Sequence, residues 1–165
     1  MDIQVTHMPK LLFSLPMTQL VHENFSVIMA FAFSRKPLER YIERFAGEWP
    51  YLRKALFEIA EQKAEKACLE LALFLRLVDD EQKISEYYNQ IGGHHFGRLF
   101  LKNGKIEKLQ LRDVCNKIIH ASGLTWTFSD ESDPMLICHS QDQEKWARAE
   151  VDLFALAGFC GEVMI

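Results

Sequence analysis

The chain has 165 residues, of which 48% are hydrophobic and 12% aromatic. That is enough apolar material for one domain with its own core, and it excludes an intrinsically disordered chain. A formal net charge of −4 argues against a general nucleic-acid coat protein, because such proteins are basic over the whole domain. Since no repeat, low-complexity segment or linker interrupts the sequence, we expect residues 1–165 to form a single domain.

The amino terminus lacks the basic start of a signal peptide, and the longest wholly apolar run, residues 27–33, is too short to span a bilayer. Four cysteines lie in apolar surroundings without a Cys-x-x-Cys pair: Cys68, Cys115, Cys138 and Cys160. We therefore expect buried, reduced thiols rather than disulfides or a zinc site, in a soluble cytoplasmic protein.

Prolines shape the predicted start of the fold. Residues 1–21 are expected to be irregular, because Pro9 and Pro16 interrupt helices. An apolar helix is predicted over residues 23–34. A second, shorter helix is predicted after Pro37, since proline suits the first turn of a helix.

The longest predicted helix is the structural spine of the molecule. After a turn at residues 49–50, apolar residues keep a helical period from residue 51 to about residue 79. Near its end, Arg76 and Asp79 are spaced for a solvated ion pair on one helix. A short helix over residues 81–89 follows.

The C-terminal half changes to strands. The dipeptide Asn103-Gly104 predicts a tight turn between strands over residues 96–101 and 105–109. Three further strands would form an antiparallel meander over residues 124–128, 135–139 and 144–151. The predicted fold class is therefore α+β, with a helical N-terminal part built on one long spine helix and a small antiparallel β-meander in the C-terminal half.

The last strand and the last helix are marked by single residues. Alternation along residues 144–151 places Trp146, Arg148 and Glu150 on one face of the strand. Asp152 then stands where an aspartate caps a helix, and we expect that helix over residues 153–163.

Residues 109–121, which join the hairpin to the meander, carry the chemically capable side chains. When they are wound as a helix, the apolar residues gather on one arc and leave a polar stripe of Arg112, Asn116 and His120. Neighbours in this stripe are about one turn apart, so Asn116 can contact either of the others. Arg112 and His120 are separated by about 12 Å of helical rise.

Such a stripe suits metal-independent cleavage of phosphodiester bonds in RNA. A histidine can take a proton from the 2′-hydroxyl or give one to the leaving oxygen. A guanidinium can hold the phosphate and stabilise the charge that grows in the transition state. An asparagine one turn away can orient the imidazole or bind the ribose. We therefore predict Arg112, Asn116 and His120 as catalytic residues, with no metal and no cofactor.

An arginine followed by a polar residue, and then by a histidine near the end of a helix, resembles the motif of HEPN-domain proteins. The resemblance implies a metal-independent RNA endonuclease, often a toxin or a defence component, and a homodimer in which both copies of the motif line one cleft. Carried over, it makes Arg112 and His120 the catalytic pair and Asp113 the polar residue after the arginine. Seven residues separate Arg112 from His120, which is more than the family pattern has.

Charge is unevenly distributed along the chain. Basic residues near the stripe are candidates for binding the RNA backbone: Arg98, Lys102, Lys105, Lys108 and Lys117. A solvated surface hairpin would explain the same charges. Residues 130–152 are acidic by contrast, which indicates a second possible function. In that hypothesis the chain is a non-catalytic interaction module, of the antitoxin or immunity type, that binds a basic protein through an acidic sheet face.

Structural roles remain open for all of these polar residues. Polar side chains beside a buried face often complete hydrogen bonds or cap a helix end, and a histidine at a helix C-terminus interacts favourably with the helix dipole. The chain would then be a scaffold. His94-His95 is not predicted to bind a metal, because adjacent residues of a strand face opposite sides. His139 and Trp126 on the meander could join a site, although packing roles are the simpler interpretation.

Overall fold

The computed structural model describes residues 15–45, 47–141 and 145–163. The stretch before residue 15, including the predicted interruption at Pro9, lies outside these ranges. Where the sequence predicts a short helix after Pro37, the structure has a 3-10 turn over Ile42–Arg44.

Helix α1 (Leu15–Glu39) contains both Pro16 and Pro37. The prediction that Pro16 interrupts a helix is wrong, because a proline in the first turn lacks only an N–H that has no helical partner there. The predicted break before Pro37 is also wrong, since that residue lies in the last turn and the helix continues only to Glu39.

The spine is one continuous helical segment made of α2 (Trp49–Arg53), a π-helical turn (Lys54–Ile59) and α3 (Ala60–Gln82). Its predicted length and position are confirmed. Trp49-Pro50 begins the helix instead of forming the predicted turn, because proline is tolerated at the first helical positions. Lys83 ends α3 in a left-handed conformation, and α4 (Ile84–Gln90) follows.

In the part of the chain that the structure describes, five strands form one antiparallel sheet in the order β2-β1-β5-β4-β3. They are β1 (Gly97–Leu101), β2 (Ile106–Lys108), β3 (Ala121–Thr127), β4 (Met135–Ser140) and β5 (Trp146–Asp152). The predicted hairpin and the predicted meander are both confirmed, and pairing of β1 with β5 unites them in a single sheet. The fold is therefore α+β, as the sequence predicts.

Helices and sheet form two layers with the core between them. Leu99, Ala149 and Cys138, from three neighbouring strands, are at most 7% exposed and belong to one apolar cluster. Residues of α1, α3, α4, α5 (Leu111–Ile119) and α6 (Leu153–Val163) also belong to that cluster. Asp152 caps α6 as predicted, because its Oδ1 accepts the N–H of Ala155 at 3.0 Å.

A bulge in β5 corrects the predicted alternation of that strand. Phe100 pairs with Arg148, but Leu101 pairs with Trp146, so Ala147 is the extra residue. The bulge turns Trp146 towards the helices, where it is 7% exposed and belongs to the core cluster. Trp146 therefore does not share a face with Arg148 and Glu150, which stay on the opposite side of the sheet.

The four cysteines are free and buried. Burial raises the pKa of the Cys115 and Cys138 thiols to about 12, so both remain protonated and unreactive near neutral pH. Within the described ranges, no helix is both long enough and apolar enough to cross a membrane.

Candidate functional site

Helix α5 places the two ends of the predicted stripe far apart. It connects β2 to β3, which are the two outer strands of the sheet, and therefore crosses the helical layer from one sheet edge to the other. Arg112 lies in its first turn and His120 immediately after its last residue. Arg112 and His120 therefore lie at opposite ends of α5, and the structure does not bring them together.

Arg112 is held by the end of the spine helix. Its Nη1 donates to Oδ2 of Asp79 and its Nη2 to Oδ1 of Asp80, both at 2.7 Å. The hydrogen bond from Arg112 holds the pKa of the Asp80 carboxyl below its ordinary value. Hydrogen bonds to Asp80 and Asp79 in turn raise the pKa of Arg112, so the guanidinium is permanently charged.

The buried member of this group is Asp79, whose side chain is only 2% exposed. Its Oδ1 accepts the backbone N–H of Ser85 at 2.7 Å, near the start of α4. One carboxylate therefore joins three helices, since Asp79 belongs to α3, Ser85 to α4 and Arg112 to α5. A buried carboxylate needs both a cation and hydrogen bonds, and Asp79 has both.

Asn116 is also bound to the spine helix. Its Oδ1 accepts a hydrogen bond from Nη1 of Arg76, whose Nε lies 3.3 Å from Asp80. The predicted pair of Arg76 with Asp79 is wrong, because Asp79 faces α5 while Arg76 pairs with Asp80 one turn along. Two residues of the stripe, Arg112 and Asn116, thus connect α5 to α3.

His120 differs from the rest of the stripe because its side chain is exposed. It caps the C-terminus of α5, and its backbone N–H donates to the carbonyl of Asn116 at 3.0 Å. Asn116 and Lys117 lie four and three residues before it, so both are about one helical turn away. An imidazole and an ammonium group therefore share the end of α5.

The same end of the sheet collects further lysines. In an antiparallel sheet, the start of β3 lies level with the end of β4, the start of β5 and the end of β1. Lys102 follows β1 and Lys145 precedes β5, and the N–H of Lys102 lies 3.5 Å from the carbonyl of Lys145. The Nζ of Lys117 lies 4.5 Å from the ring centroid of Trp146, at the start of β5. His120 therefore shares this sheet end with three lysines, Lys102, Lys117 and Lys145.

The predicted backbone-binding residues fall into two groups. Lys102 and Lys117 lie at the sheet end just described. Arg98, Lys105 and Lys108 lie on the β1–β2 hairpin. Arg98 is 2.6 Å from Glu150, and Lys105 is 2.7 Å from Glu107. The Nζ of Lys108 is 3.1 Å from the imidazole of His95.

A cleft of about 340 Å³ lies between α4 and the N-terminal turn of α5. Arg112 and Asp113 are among its lining residues, whereas Asn116 and His120 are not. Asp113 also has a local role, because its carboxylate accepts the N–H of Gln110 at 3.4 Å in a capping box. This cleft therefore holds only the arginine end of the predicted site.

The acidic stretch does not present an acidic sheet face within the described residues. Glu150 is largely buried, with its side chain 12% exposed, and Asp152 caps α6. Asp130, Glu131 and Asp133 lie in the exposed β3–β4 loop, and Asp142 and Glu144 fall outside the described ranges.

Three histidines and a tryptophan named from the sequence have packing or hydrogen-bonding partners. His94 Nε2 lies 3.0 Å from Oε2 of Glu162, whereas His95 contacts Lys108, so the adjacent histidines diverge. Trp126 packs edge-to-face on Phe31, with ring centroids 5.0 Å apart. His139 Nε2 lies 2.7 Å from the hydroxyl of Thr125.

The sequence predicts only a solvated pair with Arg76 for Asp79 and only a strand position for Arg148, and it assigns no role to Asp80. A signal existed for Asp79, since it falls on the apolar arc of α3 beside Leu75 and Val78, where a lone carboxylate needs a cation from another element. No equivalent signal marks Arg148, because the ring that its guanidinium contacts is that of Phe100, which lies on β1, far earlier in the sequence.

Comparison of the chain with family models, with curated proteins and with solved structures found no match.

Proposed function

We propose that this chain is a metal-independent RNA endonuclease of the HEPN-like type, with His120 as its proton-transfer group. The observation that carries the proposal is the exposure of His120 one turn from Lys117, at the sheet end that also holds Lys102 and Lys145. Ammonium groups attract the phosphate backbone, and an exposed imidazole beside them can reach a ribose.

The chemistry needs few groups. The imidazole of His120 takes the proton of the 2′-hydroxyl, the 2′-oxygen bonds to phosphorus, and the 5′-oxygen leaves and takes up a proton. The products are a 2′,3′-cyclic phosphate and a free 5′-hydroxyl. Lys117 stabilises the negative charge on the phosphate in the transition state. In this proposal Arg112 and Asn116 are positioning residues, because their side chains bind α3 and fix the direction of α5.

The hydrogen bonds of Arg112 and Asn116 to α3 favour a second candidate function. If the whole stripe is structural, the chain is a non-catalytic interaction module. The two candidates differ in one respect, since only the endonuclease needs the His120 imidazole.

The test is cleavage of mixed RNA by the purified chain with EDTA present. We expect His120→Ala to reduce the rate at least about 100-fold, as removal of a general base does. His22→Ala is the matched control, because His22 is also exposed but lies on α1, and it should keep the wild-type rate. The absence of cleavage by the wild type across several RNAs, or equal rates for wild type and a folded His120→Ala variant, would support the interaction module instead.

We further propose that the chain acts as a homodimer, with α3 at the interface. Leu69, Leu73 and Leu77 lie four residues apart and are 40%, 50% and 56% exposed, forming an apolar ridge on the outer side of α3. Two copies paired antiparallel about Leu73 would set Leu69 opposite Leu77. Lys66 and Asp80 lie seven residues before and after Leu73, so the same pairing sets opposite charges against each other.

The cytoplasm is the compartment that we propose for this activity. Its support is the state of the cysteines, since all four are free and buried, as in proteins of reducing compartments.

A further inference from the structure

The face of the sheet that points away from the helices carries a second cluster of basic side chains. Arg98 and Arg148 lie on neighbouring strands of this face, with side chains 58% and 48% exposed. Lys108 is the register partner of Arg98 on β2, and His139 is the partner of Arg148 on β4. The cluster therefore crosses four of the five strands.

A single buried carboxylate organises the two arginines. Glu150 accepts from Nη2 of Arg98 at 2.6 Å and from Nε of Arg148 at 3.1 Å. Each guanidinium has five N–H donors, and each of these bonds uses one. Two cations share one anion, so the trio keeps a net positive charge and its arginines are held in place before any ligand arrives.

An aromatic ring lies within this cluster. The Cζ atom of Arg148 is 4.1 Å from the ring centroid of Phe100, and that of Arg98 is 5.6 Å from it. Beyond Phe100 lies Ile106, its register partner on β2, which is 54% exposed. Stacked arginines and an aromatic ring on an open sheet match the flat faces of nucleobases as well as the charge of phosphates.

The position of the cluster relative to His120 follows from the strand order. Strands lie about 4.8 Å apart, so Phe100 on β1 is about 14 Å from β3, whose first residue follows His120. Arg148 and His139 lie on the two strands between them. An extended polynucleotide crossing the sheet from Phe100 would meet these two residues and then reach β3, which begins immediately after His120.

We infer that the open face of the sheet, centred on Arg98, Phe100 and Arg148, is a binding site for single-stranded RNA. This inference deepens the proposed function, because it names the class of RNA that reaches His120. A duplex hides its base faces inside the stack and cannot place a base on Phe100, whereas a single strand can.

The test separates binding from cleavage by its choice of probe. A fluorescein-labelled 2′-O-methyl oligouridine of 12 nucleotides cannot be cleaved through its 2′-oxygen, so its fluorescence anisotropy measures binding alone. With the full chain we expect saturable binding that weakens as salt rises, and at least about tenfold weaker binding of a 2′-O-methyl duplex of the same length.

The variants avoid the buried carboxylate. Lys108→Glu reverses an exposed charge next to Arg98, and we expect it to weaken binding about tenfold. Phe100→Ala removes the ring and should weaken it about fivefold or more. Lys54→Glu is the matched charge reversal on the helical layer, where it should leave binding within about twofold. Circular dichroism checks that each variant is folded.

Several results would overturn the inference. One is a probe that does not bind saturably, or a duplex that binds as tightly as the single strand. Another is equal binding of the probe by wild type, Lys108→Glu and Phe100→Ala. A third is displacement of the probe by polyglutamate as effective as that by unlabelled RNA, which would indicate a site for acidic protein. Binding that follows the expected pattern in a chain that cleaves no RNA would support this site while contradicting the proposed function. If the chain cleaves RNA but Lys108→Glu and Phe100→Ala bind the probe as wild type does, the proposed function is supported and this binding site is contradicted.

Discussion

Asp79 is the residue on which the arrangement of three helices depends. It lies on the buried side of α3, where an unpaired carboxylate would be strongly unfavourable, and it is neutralised by Arg112 and hydrogen-bonded by Ser85. The arginine that the sequence marks as catalytic is thus the counter-ion that this carboxylate requires. Two of the five N–H donors of this guanidinium are already used by Asp79 and Asp80.

We predict that Asp79→Ala destabilises the fold by about 2 kcal/mol. The substitution leaves the N–H of Ser85 and one side of Arg112 without an acceptor, and a buried unsatisfied donor costs about 1–3 kcal/mol. Urea unfolding followed by circular dichroism gives the change. Asp80→Ala is the matched control, and its loss should be smaller because its carboxylate is 47% exposed. Equal decreases in the free energy of unfolding for the two variants would show that the burial of Asp79 does not determine its contribution to stability.

The ion pair of Asp80 should be visible in the pH dependence of stability. Arg112 lowers the pKa of Asp80 below its ordinary 3.8, so the folded state binds this proton less readily than the unfolded state. The resulting stabilisation is present above the ordinary pKa and is lost as the pH falls through the lowered value.

We therefore expect wild type to have a higher Tm than Asp80→Asn at pH 7, and this difference to shrink as the pH falls below 3.8, the ordinary pKa of an aspartate. Asparagine keeps the shape and one acceptor oxygen but cannot titrate. Thermal unfolding of both proteins at a series of pH values measures the difference. A Tm difference that stays constant down to the lowest pH would contradict the assignment to this carboxylate.

At the scale of elements, the attachment of the β1–β2 hairpin to the meander depends on a close backbone approach. Gly97 begins β1 with φ +128°, opposite Val151 of β5. A Cβ at this position would overlap the carbonyl oxygen of Glu150 and lie 3.1 Å from the nitrogen of Asp152. Only glycine fits here, since the obstacle is backbone and the φ value is unfavourable for other residues.

We expect Gly97→Ala to destabilise the protein by about 3 kcal/mol, through backbone strain and displacement of β1 from β5. Gly104→Ala provides the comparison, because Gly104 also has a positive φ, +83°, but a Cβ there meets nothing within 4 Å. Its cost should be only about 1–2 kcal/mol, the penalty of the left-handed conformation alone. Chemical denaturation of both variants checks the ranking, and equal losses would mean that the close contact is unimportant.

The elements that the sequence predicts well are those with a strong local pattern. The spine helix has an apolar period over many turns, and Asn103-Gly104 is a direct turn signal, so both are found where predicted. The prediction of α1 was wrong at both of its ends, because a proline is tolerated in the first turn of a helix and in its last turn, as Pro16 and Pro37 are here. The bulge at Ala147 left no local signal, since it depends on the register of β5 against β1.

The candidate site shows the same division between local and long-range information. Helical spacing correctly places Arg112, Asn116 and His120 along one helix, and their separation follows from helical geometry alone. Which of these side chains is hydrogen-bonded to another helix depends on α3, which lies more than 30 residues earlier in the chain. Sequence spacing within α5 carries no information about that neighbour.

At the scale of the whole molecule, the two layers expose different surfaces. The sheet layer exposes cations and an aromatic ring around Phe100, whereas the helical layer exposes the leucine ridge of α3. The proposed RNA site and the proposed dimer interface therefore lie on opposite sides of the domain. The two proposals do not require the same surface.

This separation makes the proposed dimer testable without disturbing the sheet. We predict that the wild type elutes as a dimer in size-exclusion chromatography with light scattering, and that Leu73→Glu elutes as a monomer. Leu73 would meet its own counterpart at the centre of the antiparallel pair, so the substitution acts twice. At about 2 kcal/mol per central residue, the combined loss of about 4 kcal/mol raises Kd about 1,000-fold.

Leu20→Glu controls for the added charge, because Leu20 is also partly exposed, at 37%, but lies on α1 away from the ridge. It should remain dimeric. A monomeric wild type at high protein concentration would contradict the interface, as would a Leu73→Glu variant that remains dimeric. If Leu73→Glu is monomeric, folded and still cleaves RNA at the wild-type rate, then one copy of His120 suffices for the reaction, and the proton for the leaving oxygen does not come from a second copy.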